Sequence, residues 1–255
     1  MLRKLAMAAG VAAGLIYGGT TGAAAGEDNA EAAQLVKAMT DYLQTLEAFS
    51  VKVDVGTDVV LKTGQKHKLN SSGEVLVRRP GALRVTRKGE LADAEFNFDG
   101  KTLSILSRSD NVYFQADAPG TIDDLVDALQ NLYGIDLPAA DLFGTRAYEQ
   151  LMTGAWSVTY YGQASIDGVA CDHIGVRADS VDWQIWIRAG DKPLPCQYVV
   201  TSKWMSGAPE HQVRFYGWNE APEIAADSFV FTPPADAKKA ETAPADEITR
   251  LTNGE

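Results

Sequence analysis

The sequence has few cysteines and histidines, no long apolar run and a deficit of basic residues. It contains two cysteines and three histidines in 255 residues. No apolar run reaches the ~20 residues that a membrane-spanning helix needs. Lys and Arg number 23 against 34 Asp and Glu, so the net charge is -11. This acidic balance argues against non-specific binding to nucleic acid or anionic lipid surfaces, but it excludes neither a local basic patch nor an apolar ligand.

Motifs for common enzyme chemistry are also missing. The chain has no Gly-x-x-x-x-Gly-Lys phosphate loop and no Gly-x-Ser-x-Gly elbow. His67, His173 and His211 fall in three different predicted strands. Cys171 and His173 share one strand face, but the second pair of ligands that a closed zinc site requires is absent. We therefore predict no catalytic residue, no metal site and no cofactor.

The first residues have the pattern of an export signal. Arg3 and Lys4 precede an apolar core of about 12 residues, and Ala23-Ala24-Ala25 is an A-x-A cleavage site. We expect residues 1–25 to be a cleaved signal peptide, with an uncleaved N-terminal anchor as the alternative. Neither cysteine lies near the cleavage site, so lipid attachment to a cysteine directly after cleavage is not expected.

The two cysteines are candidates for a disulfide, which export permits. Cys171 and Cys196 are predicted to lie on strands that flank a third strand, roughly 9.5 Å apart. That separation exceeds the ~7 Å bridging limit unless a twist or bulge brings the strands closer. The alternative is a pair of small buried side chains.

The order of predicted elements defines an α+β fold. A helical repeat from Leu35 to Leu46 comes first, followed by six short strands between residues 49 and 116. Helical segments occupy residues 122–152, and five more strands lie between residues 155 and 218. About eleven strands without regular helical alternation predict one antiparallel sheet, which curls at this width. We expect one domain over residues 26–239 and a flexible tail over 240–255.

Apolar residues mark the expected concave face of this sheet. Trp183, Ile185 and Ile187 alternate along one strand, whereas Trp186 faces the other way. Core packing is the simpler interpretation; the alternative is a cavity between a curled sheet and too few helices. The residues that we predict to line this cavity are Phe96, Phe98, Leu125, Leu129, Trp156, Val158, Tyr160, Trp183, Ile185 and Ile187.

Several segments resemble a family of predicted periplasmic proteins of unknown function, itself related to the lipoprotein carriers LolA and LolB and to the lipid-binding sensor RseB. The resemblance covers roughly residues 30–239. It implies a periplasmic, LolA-like incomplete barrel of about eleven antiparallel strands, with an N-terminal helix and central helices on the concave side. The segments that carry it are Asp99–Leu103, Ala118–Ile122, Pro138–Leu142, Val181–Ile187, Lys192–Pro195, Tyr198–Ser202 and Phe229–Pro234.

These features lead to three hypotheses about function. The first is a monomeric carrier or sensor of the cell envelope that binds a lipid, a lipidated protein or another hydrophobic ligand without bond chemistry. The second is an envelope interaction module that uses the Trp186 face or the acidic surface to bind a protein partner. The third is a hydrolase, which would require a cluster of Ser, His and acidic side chains inside the cavity.

Overall fold

The computed structural model describes residues 30–90, 93–118, 120–133, 139 and 141–241. The predicted signal peptide and residues 242–255 of the predicted tail lie outside the described residues.

The first half of the chain is a helix followed by a meander of six strands. Helix α1 spans Ala30–Thr45 and places Val36, Met39 and Leu43 on one fully buried stripe, as its helical spacing predicts. Each strand after it pairs with the next in antiparallel register. The six strands are β1 (Ala48–Val60), β2 (Lys66–Arg78), β3 (Ala82–Gly89), β4 (Asp93–Phe98), β5 (Thr102–Ser107) and β6 (Val112–Asp117).

Helical segments connect the two halves, and a second meander follows. The connection contains helix α2 (Ile122–Tyr133), a 3-10 helix (Asp141–Phe143) and helix α3 (Ala147–Met152). The later strands are β7 (Ala155–Ile166), β8 (Val169–Ala178), β9 (Val181–Arg188), β10 (Pro195–Ser202), β11 (Glu210–Asn219) and the two-residue β12 (Lys238–Lys239). The sequence predicts the first five of these, whereas β12 gives no sequence signal because two residues show no periodicity.

All described strands form one open sheet. Its order is β12-β6-β5-β4-β3-β2-β1-β11-β10-β9-β8-β7, so β11 returns to pair with β1 at the centre. Neighbouring strands are antiparallel except β12, which pairs in parallel with β6. The α+β class and the single sheet predicted from the sequence are confirmed.

The helices cover the two halves of the sheet differently. The side chains of α1 pack with Trp183 and Ile185 in a core cluster that also holds Leu142 of the 3-10 helix. A second, smaller cluster joins Leu125 and Leu129 of α2 to the apolar side chains of β4, β5 and β6. The α1 half therefore has the larger and more continuous core.

A disulfide joins Cys171 on β8 to Cys196 on β10, and β9 lies between these two strands. The two Cα atoms are 7.0 Å apart, less than the two strand spacings expected of flat neighbours. The register of β10 against β9 shifts between Pro195 and Gln197, so Cys196 lies at an irregularity. This shift supplies the approach that bridging requires.

Removal of this disulfide should destabilise the fold. The bridge closes a loop of 25 residues, so the loop-entropy model gives a loss of about 3 kcal/mol for the double variant Cys171→Ala/Cys196→Ala. Urea unfolding of the wild type and the variant, each with and without reductant, measures this loss. Reductant should lower the wild type to the level of the variant and leave the variant unchanged. A wild type that reductant does not affect would contradict the bridge.

Candidate functional site

An apolar cavity of about 160 Å³ lies between α2 and the sheet, with walls from β1 to β5 and from β11. An apolar cavity of roughly this size accommodates a molecule such as benzene, so this one has space for a short length of hydrocarbon. The lining residues share an apolar character, with a few polar exceptions: Val53, Val55, Ser72, Gly73, Val75, Leu83, Val85, Thr86, Arg87, Phe96, Asn97, Phe98, Leu103, Ile122, Leu125, Val126, Leu129, Ala139, Phe143, His211, Val213 and Phe215.

Strand alternation and a helical stripe build the walls. Side chains two residues apart on a strand share a face, which brings Leu83 and Val85 of β3 to the same wall. Ile122, Leu125 and Leu129 recur at helical spacing on α2 and are all buried. The wall therefore follows from local sequence patterns that the long-range pairing of the sheet brings together.

The start of α2 is held in place by capping and by the turns beneath it. Thr121 accepts a hydrogen bond from the Asp124 amide at 3.2 Å, and the Asp124 carboxylate accepts one from the Thr121 amide at 2.7 Å. This reciprocal pair is a capping box with Asp in the acidic position. The Ile122 amide also donates to the carbonyl of Pro80 at 2.9 Å. The N-terminal end of α2, which covers the cavity, is thus hydrogen-bonded to the β2–β3 turn.

A close backbone approach fixes the same end of α2. A Cβ added at Gly81 would lie 2.8 Å from the carbonyl oxygen of Gly120, closer than real Cβ contacts allow. The Gly120 amide donates to the Gly100 carbonyl at 3.2 Å, and Gly100 has φ +90°. The turns before β3, before β5 and before α2 therefore pack backbone to backbone, which only glycine permits here.

The cavity wall includes two basic side chains, Arg87 and His211. Arg87 lies on β3 two residues beyond Val85, and its Nε donates to the Ser71 hydroxyl at 3.0 Å. Burial lowers the pKa of Arg87, yet a guanidinium stays protonated at neutral pH. His211 lies on β11 two residues before Val213, and its Nδ1 is 3.0 Å from the Thr57 hydroxyl. One part of an otherwise apolar cavity is therefore cationic and able to form hydrogen bonds.

His211 is neutral at physiological pH. Burial of the imidazolium, together with the smaller effect of the positive charges of Arg87 and Lys68, lowers the pKa of His211 to about 4. Lys68 is itself 3.1 Å from the carboxylate of Asp58. Since nearby cations contribute to this shift, the pKa of His211 reflects a positive potential around the ring.

Four of the ten predicted lining residues lie in the cavity wall, namely Phe96, Phe98, Leu125 and Leu129. The other six do not line it. Val158, Trp183, Ile185 and Ile187 are buried in the core cluster beneath α1. They share the expected face of the sheet, but α1 covers them completely. These four residues therefore lie outside the cavity, in the core beneath α1.

Tyr160 and Trp156 differ from the prediction for separate reasons. Tyr160 packs against the core and donates its hydroxyl to Asp172 at 2.8 Å. Trp156 is 53% exposed, because the pairing of β7 with β8 is irregular between Ala155 and Ser157. This bulge interrupts the alternation and turns the indole outward, where the Arg177 guanidinium lies 4.7 Å from its ring.

The two basic wall residues are not among the ten predicted from the sequence, although the strand pattern contains a signal for them. Arg87 continues the alternation Leu83, Val85, and His211 precedes the alternation Val213, Phe215. Extending each alternation by one further step of two residues would have placed both side chains on the cavity face.

Cys171 and His173, which share one strand face, have separate structural contacts. The sulfur of Cys171 is committed to the disulfide, so it is not available to a metal alongside His173. In the part of the chain that the structure describes, no three His, Cys, Asp or Glu side chains cluster as metal ligands. The His173 ring instead stacks on Trp186 at 4.0 Å and lies 4.8 Å from the Tyr161 ring.

The chain belongs to a family of predicted periplasmic proteins, DUF2092, which it matches over residues 32–243. The resemblance drawn from the sequence is thereby confirmed, and the family places the chain in the periplasm. No curated protein sequence matches it. Among residues 30–90, 93–118, 120–133 and 141–241, no helix has the length and apolar character to cross a membrane.

Solved structures of similar fold include the lipoprotein LppX of Mycobacterium tuberculosis, with 17% identity and a TM-score of 0.49 over 76% of this chain and 98% of that one. A LolA superfamily protein of Nitrosomonas europaea gives 10% identity and a TM-score of 0.40, covering 78% and 97%. The Pseudomonas aeruginosa MucA/MucB complex gives 16% identity and a TM-score of 0.43, covering 80% and 62%.

The low pKa of His211 predicts a loss of stability in mild acid. The unfolded chain takes up a proton near pH 6.5 whereas the folded chain resists it until about pH 4. Stability is therefore lost as pH falls through this window. Between pH 7 and pH 5 the loss from this group should be about 2 kcal/mol.

Urea unfolding of the wild type and of His211→Gln at both pH values measures this contribution. Burial also lowers the pKa of His173, so His173 adds pH dependence of the same sign to both proteins, and only their difference reports His211. An unchanged pH dependence in His211→Gln would contradict the assignment.

Proposed function

We propose that this protein binds a hydrophobic ligand, a lipid or a lipidated protein, in the cavity beneath α2. We further propose that it acts as a carrier or sensor in the cell envelope. The observation that carries the proposal is the cavity of about 160 Å³, whose wall is almost entirely aliphatic and aromatic. Each methylene transferred from water into such a wall contributes about 0.8 kcal/mol, so even a short chain segment gains appreciable binding energy.

A full acyl chain needs more space than the cavity has here, so we propose that α2 moves to admit it. Among the described residues, the polar contacts of α2 come from its first two turns. Asp123 accepts a hydrogen bond from the Thr145 amide at 2.8 Å, and Asp127 pairs with Arg146 at 2.6 Å. Leu125 and Leu129 contact the sheet through apolar packing, which is not directional. Outward rotation about the anchored end would lengthen the cavity along β3 and β4.

Binding is proposed to occur without bond chemistry. A hydrolase would need a nucleophile, a base and an orienting acid within reach of the ligand. His211 is the one histidine in the described cavity wall, and its hydroxyl partner Thr57 does not line the cavity. No carboxylate lines the described wall either. These features favour a binding protein over the hydrolase hypothesis.

A substitution that fills the cavity should weaken ligand uptake. Val85→Phe adds a ring to the wall, and the space beneath α2 can accept it with little strain. We expect the affinity for a fluorescent fatty-acid probe to fall by about tenfold or more, because each excluded methylene forfeits part of the binding energy. Fluorescence titration measures the affinity, and urea unfolding confirms that the variant is folded.

The matched control is Val169→Phe, since Val169 is 37% exposed at the start of β8 and does not line the cavity. This variant should bind the probe like the wild type. Wild-type affinity in folded Val85→Phe would place ligand binding elsewhere.

A second candidate function is the binding of a protein partner. The observation that favours it is an aromatic surface on the far side of the sheet, formed by Tyr161, His173 and Trp186. Tyr161 is 59% exposed, and the three rings pack in sequence. Exposed, ordered aromatic groups are typical of protein interfaces.

In vivo cross-linking followed by mass spectrometry separates this function from the first. If the aromatic surface binds a partner, Tyr161→Ser should lose a stoichiometric cross-linked protein that Val85→Phe retains. The same protein recovered at equal yield from Tyr161→Ser would remove this surface from consideration.

A further inference from the structure

The basic residues of the cavity wall have no acidic counterpart there. The described wall contains Arg87 and His211 but neither Asp nor Glu. The protein as a whole is acidic, with a net charge of -11. The cavity wall is therefore positively charged although the protein as a whole is negatively charged.

Arg87 is held in place but has no charge partner among the described residues. Its only recorded hydrogen bond is to the neutral hydroxyl of Ser71, and no ion pair in the described part of the chain includes it. Arg84, three residues earlier on the opposite face, provides the contrast. Its Nε is 2.9 Å from the Glu95 carboxylate, which Arg108 also contacts.

Burial without a counter-ion is unfavourable for a guanidinium, because its charge loses hydration and gains nothing in return. An anion that enters the cavity would supply the missing partner. The planar fork of arginine presents paired N–H donors that match the oxygens of a carboxylate or phosphate. The hydrogen bond from Nε of Arg87 to Ser71 orients the guanidinium and leaves its two terminal nitrogens for a ligand.

His211 lies in the same positive environment. The Arg87 and Lys68 charges contribute to its lowered pKa, so both cations act on the ring despite the Asp58 carboxylate that pairs with Lys68. The Asp58 carboxylate is itself paired with Lys66 at 3.0 Å and with Lys68 at 3.1 Å. The potential at the wall stays favourable for an incoming anion.

We propose that the ligand is an acidic amphiphile, whose hydrocarbon chain occupies the apolar part of the cavity and whose anionic head group pairs with Arg87. The inference rests on the proposed function and adds the class of ligand. It assigns the polar wall to head-group recognition and Arg87 to the head-group contact. A neutral lipid of equal chain length would leave the guanidinium unpaired and bind less tightly.

Isothermal titration with octanoate, octan-1-ol and acetate tests this at pH 7. Octanoate and octanol share a chain that suits a small cavity, and acetate carries the charge alone. A charge-assisted hydrogen bond predicts that the wild type binds octanoate about 10- to 100-fold more tightly than octanol. Acetate should bind far more weakly than octanoate. Equal affinity for acetate and octanoate would overturn the proposal in favour of a simple anion site.

Variants assign the preference to Arg87. Arg87→Gln should reduce octanoate affinity to that of octanol and leave octanol affinity unchanged, whereas Arg87→Lys should retain part of the preference. Lys88→Gln removes the same charge from an 82% exposed neighbouring side chain and should bind both ligands like the wild type. Loss of the preference in Lys88→Gln, or its persistence in folded Arg87→Gln, would overturn the assignment.

The failure of the inference and the failure of the proposed function give different results. Equal binding of octanol and octanoate by the wild type refutes head-group recognition and leaves apolar binding intact. If the wild type binds neither octanol nor octanoate, both head-group recognition and the proposed function are refuted. If Arg87→Gln does not fold, the wild-type comparison and Arg87→Lys still decide the question.

Discussion

The antiparallel pairing of β1 with β11 joins the two halves of the chain into a single sheet. Val53 and Val55 on β1 lie opposite Phe215 and Val213 on β11, although about 160 residues separate the two strands. Both sides of this pairing contribute to the cavity wall. Without it, each meander would expose an apolar face at its own edge, and the cavity would lose one side. The candidate site therefore depends on a pairing between strands that lie far apart in the sequence.

The cavity arises because the helices cover this joined face unequally. Helix α1 lays a continuous stripe on the later strands, and residues such as Ile174 and Ile185 are fully buried beneath it. The earlier strands lie beneath α2, where space remains above Val75 and Val85. Interiors normally pack without voids of this size, and the proposed function assigns the retained space to a ligand. The core beneath α1 is closely packed, whereas the core beneath α2 contains the cavity.

Much of this arrangement could be predicted from the sequence. Alternation and turn residues locate eleven strands, as at Asp99, whose carboxylate accepts hydrogen bonds from the amides of Lys101 and Thr102 in the turn. Thr121 caps α2 as its position predicts. These features depend on neighbours within a few residues, which a single sequence contains.

The composition of the site could be predicted only in part. Alternation places Trp183 and Phe96 on the same face, but it does not say that α1 will cover the first while α2 leaves the second open. That distinction depends on helix placement over distant strands. Trp156 shows another limit, because a single bulge reverses the side to which a residue points. Arg87 shows the opposite case, since the alternation of Leu83 and Val85, extended by two residues along β3, would have included it.

The central claim is that the space beneath α2 holds a hydrophobic ligand in the living cell. The most direct test is to purify the mature protein from the periplasm of its own source without detergent and to analyse its organic extract by mass spectrometry. The account predicts an acyl-bearing species near one equivalent per chain. An empty protein that also fails to take up a fatty-acid probe would contradict it and show that the cavity is a packing defect.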